Sequence, residues 1–180
     1  MKVNRKISIG AKLLLLLFLV KGVTQKCYAQ DIDAKAYTLF VYNFMKYVEW
    51  PEAQNKGDFI VGVLGDSPIN KELQVLAAGK KIKGRNIVIK ILGKPEEAGA
   101  CQMVYVTDSK SSAMKILKEQ MKDKPILIVG EREGLAKKGA ALSFVTLEDD
   151  ALKFDINKKE IESHQLKISS SLIQLGIVVN

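Results

Sequence analysis

One aromatic-rich stretch, Ala36–Pro51, places the strongest constraint on the fold of this chain. Its apolar side chains recur at the three- and four-residue spacing of one helix face, and they do not alternate as they would in a strand. The residues on this face are Tyr37, Val41, Phe44 and Val48. Because Pro51 disfavours helical backbone at Trp50, the sequence predicts a helix over Ala36–Trp50. Such a helix lies either wholly in the core or partly in the core and partly on a partner surface.

The first 29 residues have the layout of a secretory signal peptide. Basic residues open the chain, an unbroken apolar run covers Leu13–Val20, and Ala29 supplies a small residue at the expected cleavage position. The apolar run is short for a membrane span, although a retained anchor is the alternative. We therefore expect residues 1–29 to be a signal peptide that is cleaved near Ala29, and residues 30–180 to form one domain.

The positive charge of the chain belongs mostly to this leader. The whole sequence carries +8, from 28 basic and 20 acidic residues, and residues 1–29 hold six of the basic residues and no acidic one. The remaining residues therefore carry about +2. Nucleic-acid binding calls for a clustered basic patch, and the one local cluster, Lys80–Arg85, is interrupted by glycine and has the composition of a solvated turn. No nucleic-acid partner is predicted.

Short apolar runs alternate with helical segments after the first helix. The predicted strands are Phe59–Leu64, Ile87–Leu92, Met103–Thr107, Pro125–Val129, Ala141–Leu147 and Leu152–Ile156. The predicted helices are Ile69–Ala77, Ser112–Lys122 with Asp108 or Ser109 as its cap, and Lys158–Leu175. This order is typical of a single α/β domain with a mostly parallel central sheet, helices on both faces, and a C-terminal antiparallel strand pair plus helix.

Residues that could carry catalysis are few. His164 is the single histidine and is placed by the pattern on the surface of the last helix, so neither a catalytic residue nor a metal or cofactor site is predicted. Ser112 and Lys115 match a Ser-x-x-Lys motif, but its partner motifs are missing. Several acidic residues could form a general acid–base pair, but their spacing selects no pair. They are Glu131, Glu133, Glu148, Asp149, Asp150 and Asp155.

Removal of the leader would take away Cys27 and leave Cys101 as the single cysteine. Cys101 opens an apolar run, which favours a buried free thiol. An intermolecular disulfide or a reactive thiol is the alternative.

Two stretches, one at each end of the predicted domain, resemble the YfiR family of periplasmic regulators. The first comprises Tyr42–Pro51 and Phe59–Gly65, and the second comprises Leu152–Asn157, Leu166–Leu175 and Ile177–Val179. In that family a Tyr-Asn-Phe-x-Lys-Phe-x-Glu-Trp-Pro-like helix opens the domain, and a Phe-x-Ile-Asn strand and a Leu-Lys-Ile-Ser-Ser helix close it. The similarity extends from about Ala34 to Val179.

This resemblance implies a small periplasmic α/β protein, often dimeric, without established catalytic activity. Family members bind the periplasmic part of an inner-membrane diguanylate cyclase and hold it inactive, which limits cyclic di-GMP and biofilm formation. Related domains are attached to sensor histidine kinases, so a sensing or interaction module for such a kinase is the alternative function. Some members carry paired cysteines, and Cys101 alone cannot reproduce that feature.

An inhibitory binding protein needs an exposed apolar patch, and the first and last predicted helices are the best candidates for it. Tryptophan is a frequent anchor of protein interfaces. The hypothetical partner or dimer surface comprises Asn43, Lys46, Tyr47, Trp50, Lys167 and Gln174. The alternative is that Trp50 and Ser169–Ser171 make contacts that close the fold. A small hydrolase or binding protein with an unrecognised site is the third hypothesis.

Overall fold

Residues 34–179 are the part of the chain that the computed structural model describes. The expected signal peptide lies outside these residues. Within them, no helix combines the length and apolar character needed to cross a membrane.

Helices and short strands alternate along the described chain. The helices are α1 (34–47), α2 (Ile69–Gly79), α3 (Met114–Gln120), α4 (Lys158–Ser163) and α5 (Ser170–Leu175). The strands are β1 (Val48–Glu49), β2 (Phe59–Leu64), β3 (Lys81–Ile82), β4 (Arg85–Leu92), β5 (Met103–Val106), β6 (Leu127–Gly130), β7 (Leu142–Thr146), β8 (Leu152–Asn157), β9 (Lys167–Ile168) and β10 (Ile177–Val179).

The central sheet has eight strands in the order β10-β8-β7-β6-β5-β2-β4-β3. Pairing is parallel from β4 through β2, β5 and β6 to β7, and again between β8 and β10. It is antiparallel between β7 and β8 and between β3 and β4. The predicted fold class, a mostly parallel α/β sheet with an antiparallel pair near its C-terminal end, is therefore confirmed.

Apolar side chains cover the sheet on both faces, because neighbouring residues of a strand point in opposite directions. In β5, Met103 and Tyr105 belong to the cluster that contains Phe44 of α1. Val104 of the same strand belongs to the second cluster, which contains Leu117 of α3. Thus α1 packs on one face and α3 on the other, and the prediction of a core role for the first helix is confirmed.

The first helix is shorter than the sequence predicts. It ends at residue 47, and β1 follows as an antiparallel partner of β9, with Val48 opposite Ile168 and Glu49 opposite Lys167. The backbone N–H of Ser169 also donates to the Tyr47 carbonyl at 3.0 Å. Pairing with β9 satisfies backbone groups that a continued helix would have used internally, so the predicted end at Trp50 is wrong.

The predicted single helix Lys158–Leu175 is also wrong, because it is divided into α4, β9 and α5. Gln165 has a left-handed backbone with φ of 57°, which cannot continue an α-helix. The Ser169 side chain then accepts a hydrogen bond from the Leu172 N–H and caps α5. Leu166 and Leu172 are buried as expected, but they reach the core from different elements.

The segment before α3 differs from the prediction as well. A 3₁₀-helix, Asp108–Ala113, precedes α3, and neither helix has a side-chain cap. The Ser109 hydroxyl instead lies 2.9 Å from the Thr107 hydroxyl. Asp108 or Ser109 as the cap of an α-helix is therefore wrong.

Candidate functional site

The outward side of α1 combines apolar and polar residues at helical spacing. Leu39 is 64% exposed, Lys46 is exposed and Asn43 is half-buried, whereas Val41 and Phe44 of the same helix are fully buried. We call Leu39, Asn43 and Lys46 the α1 outer face. The face carries an apolar side chain at one end and a positive charge at the other.

A groove of about 340 Å³ separates this helix from α2. Leu39 lines one wall and Val75 and Leu76 line the other, and Val75 is 63% exposed. Lys35 and Lys80 also line the groove, together with the carboxylate of Glu72. An apolar floor with a charged rim is the usual composition of a protein-binding surface.

Val75 was not among the predicted surface residues. The apolar spacing in α2 marks Leu73 and Leu76, and a valine beside that stripe gives no signal on its own. Its importance depends on the proximity of α1, which sequence spacing within α2 cannot reveal.

Three of the predicted surface residues meet where α1 joins β1. The Lys46 ammonium lies 5.1 Å from the centroid of the Tyr47 ring, and that ring packs against the core. Lys167 is exposed on β9, directly opposite Glu49. The two-stranded β1–β9 ribbon therefore brings Lys46, Tyr47 and Lys167 into one region, although they are distant in sequence.

Trp50 belongs to the interior, where only 8% of it is exposed. Its Nε1–H donates to the Gln102 carbonyl at 3.0 Å, and its ring packs edge-on against Phe59 at a centroid distance of 5.0 Å. It makes the fold-closing contact that was the alternative to a surface role. Gln174 is exposed on α5, a helix that packs against β8 and β10.

The carboxyl ends of β2, β5 and β6 are where open α/β sheets usually bind ligands. Here hydrogen bonds join the loops to one another. Glu131 accepts hydrogen bonds from the Ser67 hydroxyl at 2.7 Å and from the Asp108 N–H at 2.6 Å. The Thr107 side chain leaves no room for a Cβ at Gly65. Among the candidate acids, Glu131 thus serves to tie these loops together.

His164 is buried, and its predicted surface position is wrong. It is 3% exposed, and its Nδ1 lies 2.7 Å from the Lys124 carbonyl. The wrong surface position follows from the predicted continuous helix. The chain instead turns after α4, and the His164 ring contacts the segment that follows α3 in the sequence. No group of residues in the described range 34–179 could hold a metal ion through three or more of its His, Cys, Asp and Glu side chains.

Cys101 and Asp155 are buried residues whose pKa values are raised. Cys101 is a buried free thiol, as predicted, and burial raises its pKa. Burial also raises the pKa of Asp155, with Glu133 adding to this effect and Lys137 opposing it. Both pKa shifts make the charged form less available, which is the opposite of what an activated nucleophile needs.

Comparison with known proteins gives one family match. The family DUF4154, described as YfiR/HmsC-like, matches residues 34–177. No curated protein matches the chain.

Among solved structures, the chain is similar to an ABC domain in complex with L-Trp from Streptococcus pneumonia, with 14% sequence identity and a TM-score of 0.49. The alignment covers 67% of this chain and 55% of that one, so the likeness spans about half of the solved chain. A likeness of this degree says nothing about the ligand or partner of the present chain.

Proposed function

This chain belongs to the YfiR/HmsC-like family, and from that premise we propose that it is a periplasmic signalling regulator without catalytic activity. It binds the periplasmic part of an inner-membrane diguanylate cyclase and holds that enzyme inactive. Cyclic di-GMP, and with it biofilm formation, stays low until the restraint is released. The observation that carries this proposal is the family match over residues 34–177.

A regulator of this kind must prefer one state of its partner. To convert an enzyme population from about 99% active to about 99% inactive, it must bind the inactive state roughly 10⁴-fold more tightly, or by about 5.5 kcal/mol. Complete burial of an exposed leucine or valine side chain yields at most about 1.5–3 kcal/mol. Leu39 and Val75 together could supply much of the required difference if only the inactive partner covers them.

The α1 outer face and the α2 side of the groove therefore form the proposed partner surface. Its lysines, Lys35, Lys46 and Lys80, outnumber its single acid, Glu72. Such a rim favours an acidic partner surface and makes the association rate fall as salt rises.

Affinity capture from solubilised cell envelope tests the proposal. The tagged protein, expressed from its full-length sequence, should recover a membrane protein that has a periplasmic part and a cytoplasmic diguanylate cyclase. Leu39→Glu should reduce that recovery by about tenfold or more, since an apolar contact at the interface centre becomes a buried charge. Ile116→Glu is the matched control, because Ile116 is 48% exposed on α3, which packs on the opposite face of the sheet.

The outcomes separate the parts of the proposal. Capture of a sensor histidine kinase would support the regulatory role but would replace the diguanylate cyclase as the regulated enzyme. Full recovery by folded Leu39→Glu protein would contradict the surface. Failure of the folded wild-type protein to recover any membrane signalling enzyme would contradict the regulatory role.

We also propose that the protein forms a homodimer, and that the two copies meet through β10. In the described chain β10 is the last strand on one side of the sheet, and it exposes Ile177 and Val178 without a charge. The opposite edge strand carries Lys81, a usual guard against edge pairing. Two copies of β10 could pair antiparallel about a twofold axis.

Sedimentation equilibrium tests this dimer. Val178→Lys should give a monomer, whereas Ile91→Lys, at an exposed position of β4, should leave the dimer intact. A monomeric wild-type protein would contradict the dimer without affecting the partner proposal.

A further inference from the structure

A cavity of about 500 Å³ lies between α3 and α4, within the range of about 300–1,000 Å³ typical of small-molecule sites. It is separate from the α1 outer face and from the loops at the carboxyl ends of the parallel strands. We propose that this cavity binds a small organic anion with an apolar body. The proposal goes beyond the partner-binding function and does not depend on it.

Charge is the first argument for an anionic ligand. The cavity is lined by five lysines, Lys115, Lys118, Lys122, Lys138 and Lys159. Three acids, Glu119, Asp123 and Glu160, also line it, which leaves an excess of two positive charges. Across residues 34–179, Lys118 is the one lysine of this set that forms an ion pair, and its partner is Glu160. The other four ammonium groups are therefore available to a ligand.

The shape of lysine explains why the ligand should have an apolar body. A lysine side chain places a butyl stem along the wall and keeps its ammonium group in water. The stem of Lys118 is further held against Gly139, where it occupies the space of a Cβ. The walls are thus largely aliphatic and the charges lie at the rim, an arrangement that suits an aromatic or aliphatic body bearing a phosphate, sulfonate or carboxylate group.

Two of the residues that line the cavity are buried and polar. Glu160 is 8% exposed and is held by the Lys118 ion pair, and His164 is 3% exposed. Because the Lys124 carbonyl can only accept, Nδ1 of His164 carries the proton in the 2.7 Å hydrogen bond between them. That hydrogen bond leaves Nε2 of the ring free to make a polar contact with a ligand.

Nuclear magnetic resonance titration with 1-naphthyl phosphate tests the site on protein expressed from the full-length sequence. This probe joins an apolar ring system to a dianionic head, whereas 1-naphthol supplies the body alone and inorganic phosphate the head alone. We expect saturable shifts of backbone amide signals in α3, in α4 and near Lys124. Binding of either control compound should be weaker by about tenfold or more, since each lacks one of the two contacts.

Substitution of lining lysines provides the decisive comparison. Lys122→Gln with Lys159→Gln should weaken probe binding by about tenfold, because two partly exposed ion pairs are lost while both side chains stay polar and flexible. Lys158→Gln is the matched control, since Lys158 precedes Lys159 in α4 and does not line this cavity.

Several results would overturn the proposal. They are the absence of saturable shifts, shifts that map away from α3 and α4, equal binding of 1-naphthol, and equal binding to the double variant. Equal binding of inorganic phosphate would contradict the claim that the ligand needs an apolar body. Each measurement is made without a protein partner, so none of these results bears on the proposed regulatory function.

Discussion

The indole Nε1 of Trp50 donates a hydrogen bond to the main-chain carbonyl of Gln102, 52 residues further along the sequence and 3.0 Å away. The Gln102 side-chain oxygen in turn accepts from the Ile60 N–H at 2.8 Å. These two bonds connect the segment after α1 to the first residues of β2 and to the residue that precedes β5. The aromatic end of the first helical stretch is thereby fixed to the middle of the central sheet.

Replacement of Trp50 should therefore destabilise the protein. Trp50→Ala removes the buried ring from its contact with Phe59 and should lower the free energy of unfolding by about 3–5 kcal/mol. Trp50→Phe keeps part of the packing but loses the donor to Gln102, and it should lower that free energy by about 1–3 kcal/mol. Urea unfolding followed by circular dichroism measures both.

Leu39→Ala is the control for this series. Leu39 lies on the same stretch but is 64% exposed, so the substitution should change the free energy of unfolding by about 0.5 kcal/mol or less. A Trp50→Ala protein as stable as Leu39→Ala would contradict the buried position of the indole.

The cap of α5 gives a second prediction. The Ser169 side chain accepts the hydrogen bond from the Leu172 N–H at 3.2 Å, so Ser169→Ala should lower the free energy of unfolding by about 1 kcal/mol. Ser171→Ala is the matched control, because Ser171 is exposed within the same helix and alanine is the better helix former. Equal effects of the two substitutions in chemical denaturation would show that Ser169 does not act as the cap.

Sequence patterns predicted the six inner strands of the central sheet, because these are short apolar runs bounded by turn residues, but they missed both edge strands, β3 and β10. Phe59–Leu64 was predicted with its full bounds. The β7–β8 hairpin was also predicted, and its turn includes Asp150, whose φ of 61° suits a short polar side chain. In these elements the local pattern and the tertiary structure agree.

The β1–β9 ribbon could not be predicted, because each strand has only two residues and lies inside a helix-like pattern. Val48 and Ile168 fit their neighbouring helices by spacing alone, and only the antiparallel pairing between them determines the extended backbone. The buried position of His164 follows from the same break in the chain and was missed for the same reason.

Residues of the candidate surfaces are spread along the sequence. Lys46 and Tyr47 lie together at the end of α1, and their role in a partner surface stays a prediction. Lysines of the α3–α4 cavity are spread from Lys115 to Lys159, and no local motif marks them. They converge only because the fold places α3 and α4 around the same cavity, which is tertiary information.

A third prediction concerns pH. Burial raises the pKa of Asp155 in the folded protein, so the folded chain holds this proton more tightly than the unfolded chain. The favourable contribution of Asp155 to stability is therefore complete below the unfolded pKa of about 3.9, and it is lost as the pH rises through the raised folded value. Asp155→Asn removes this loss, so the variant should gain stability relative to the wild type as pH increases.

Urea midpoints measured between about pH 4 and pH 7 check this prediction, because the window extends upward from the pKa of an unfolded aspartate. Glu148→Gln is the control, since it removes one carboxylate from the exposed β7–β8 turn. A stability difference between Asp155→Asn and wild type that does not change with pH would contradict the raised pKa.

Gly62 in the central strand β2 provides the last prediction. A Cβ at this position would lie 2.7 Å from Leu92 Cδ1 and 2.8 Å from Cys101 Sγ, so Gly62→Ala should lower the free energy of unfolding by about 1–3 kcal/mol. Gly79→Ala is the control, because no heavy atom lies within 4 Å of the added Cβ at the end of α2. Cys101→Ala removes one of the two side chains that would meet the added Cβ. The double variant should therefore lose less free energy of unfolding than the sum of the losses in the two single variants. Strict additivity in chemical denaturation would show that the thiol does not limit the space at Gly62.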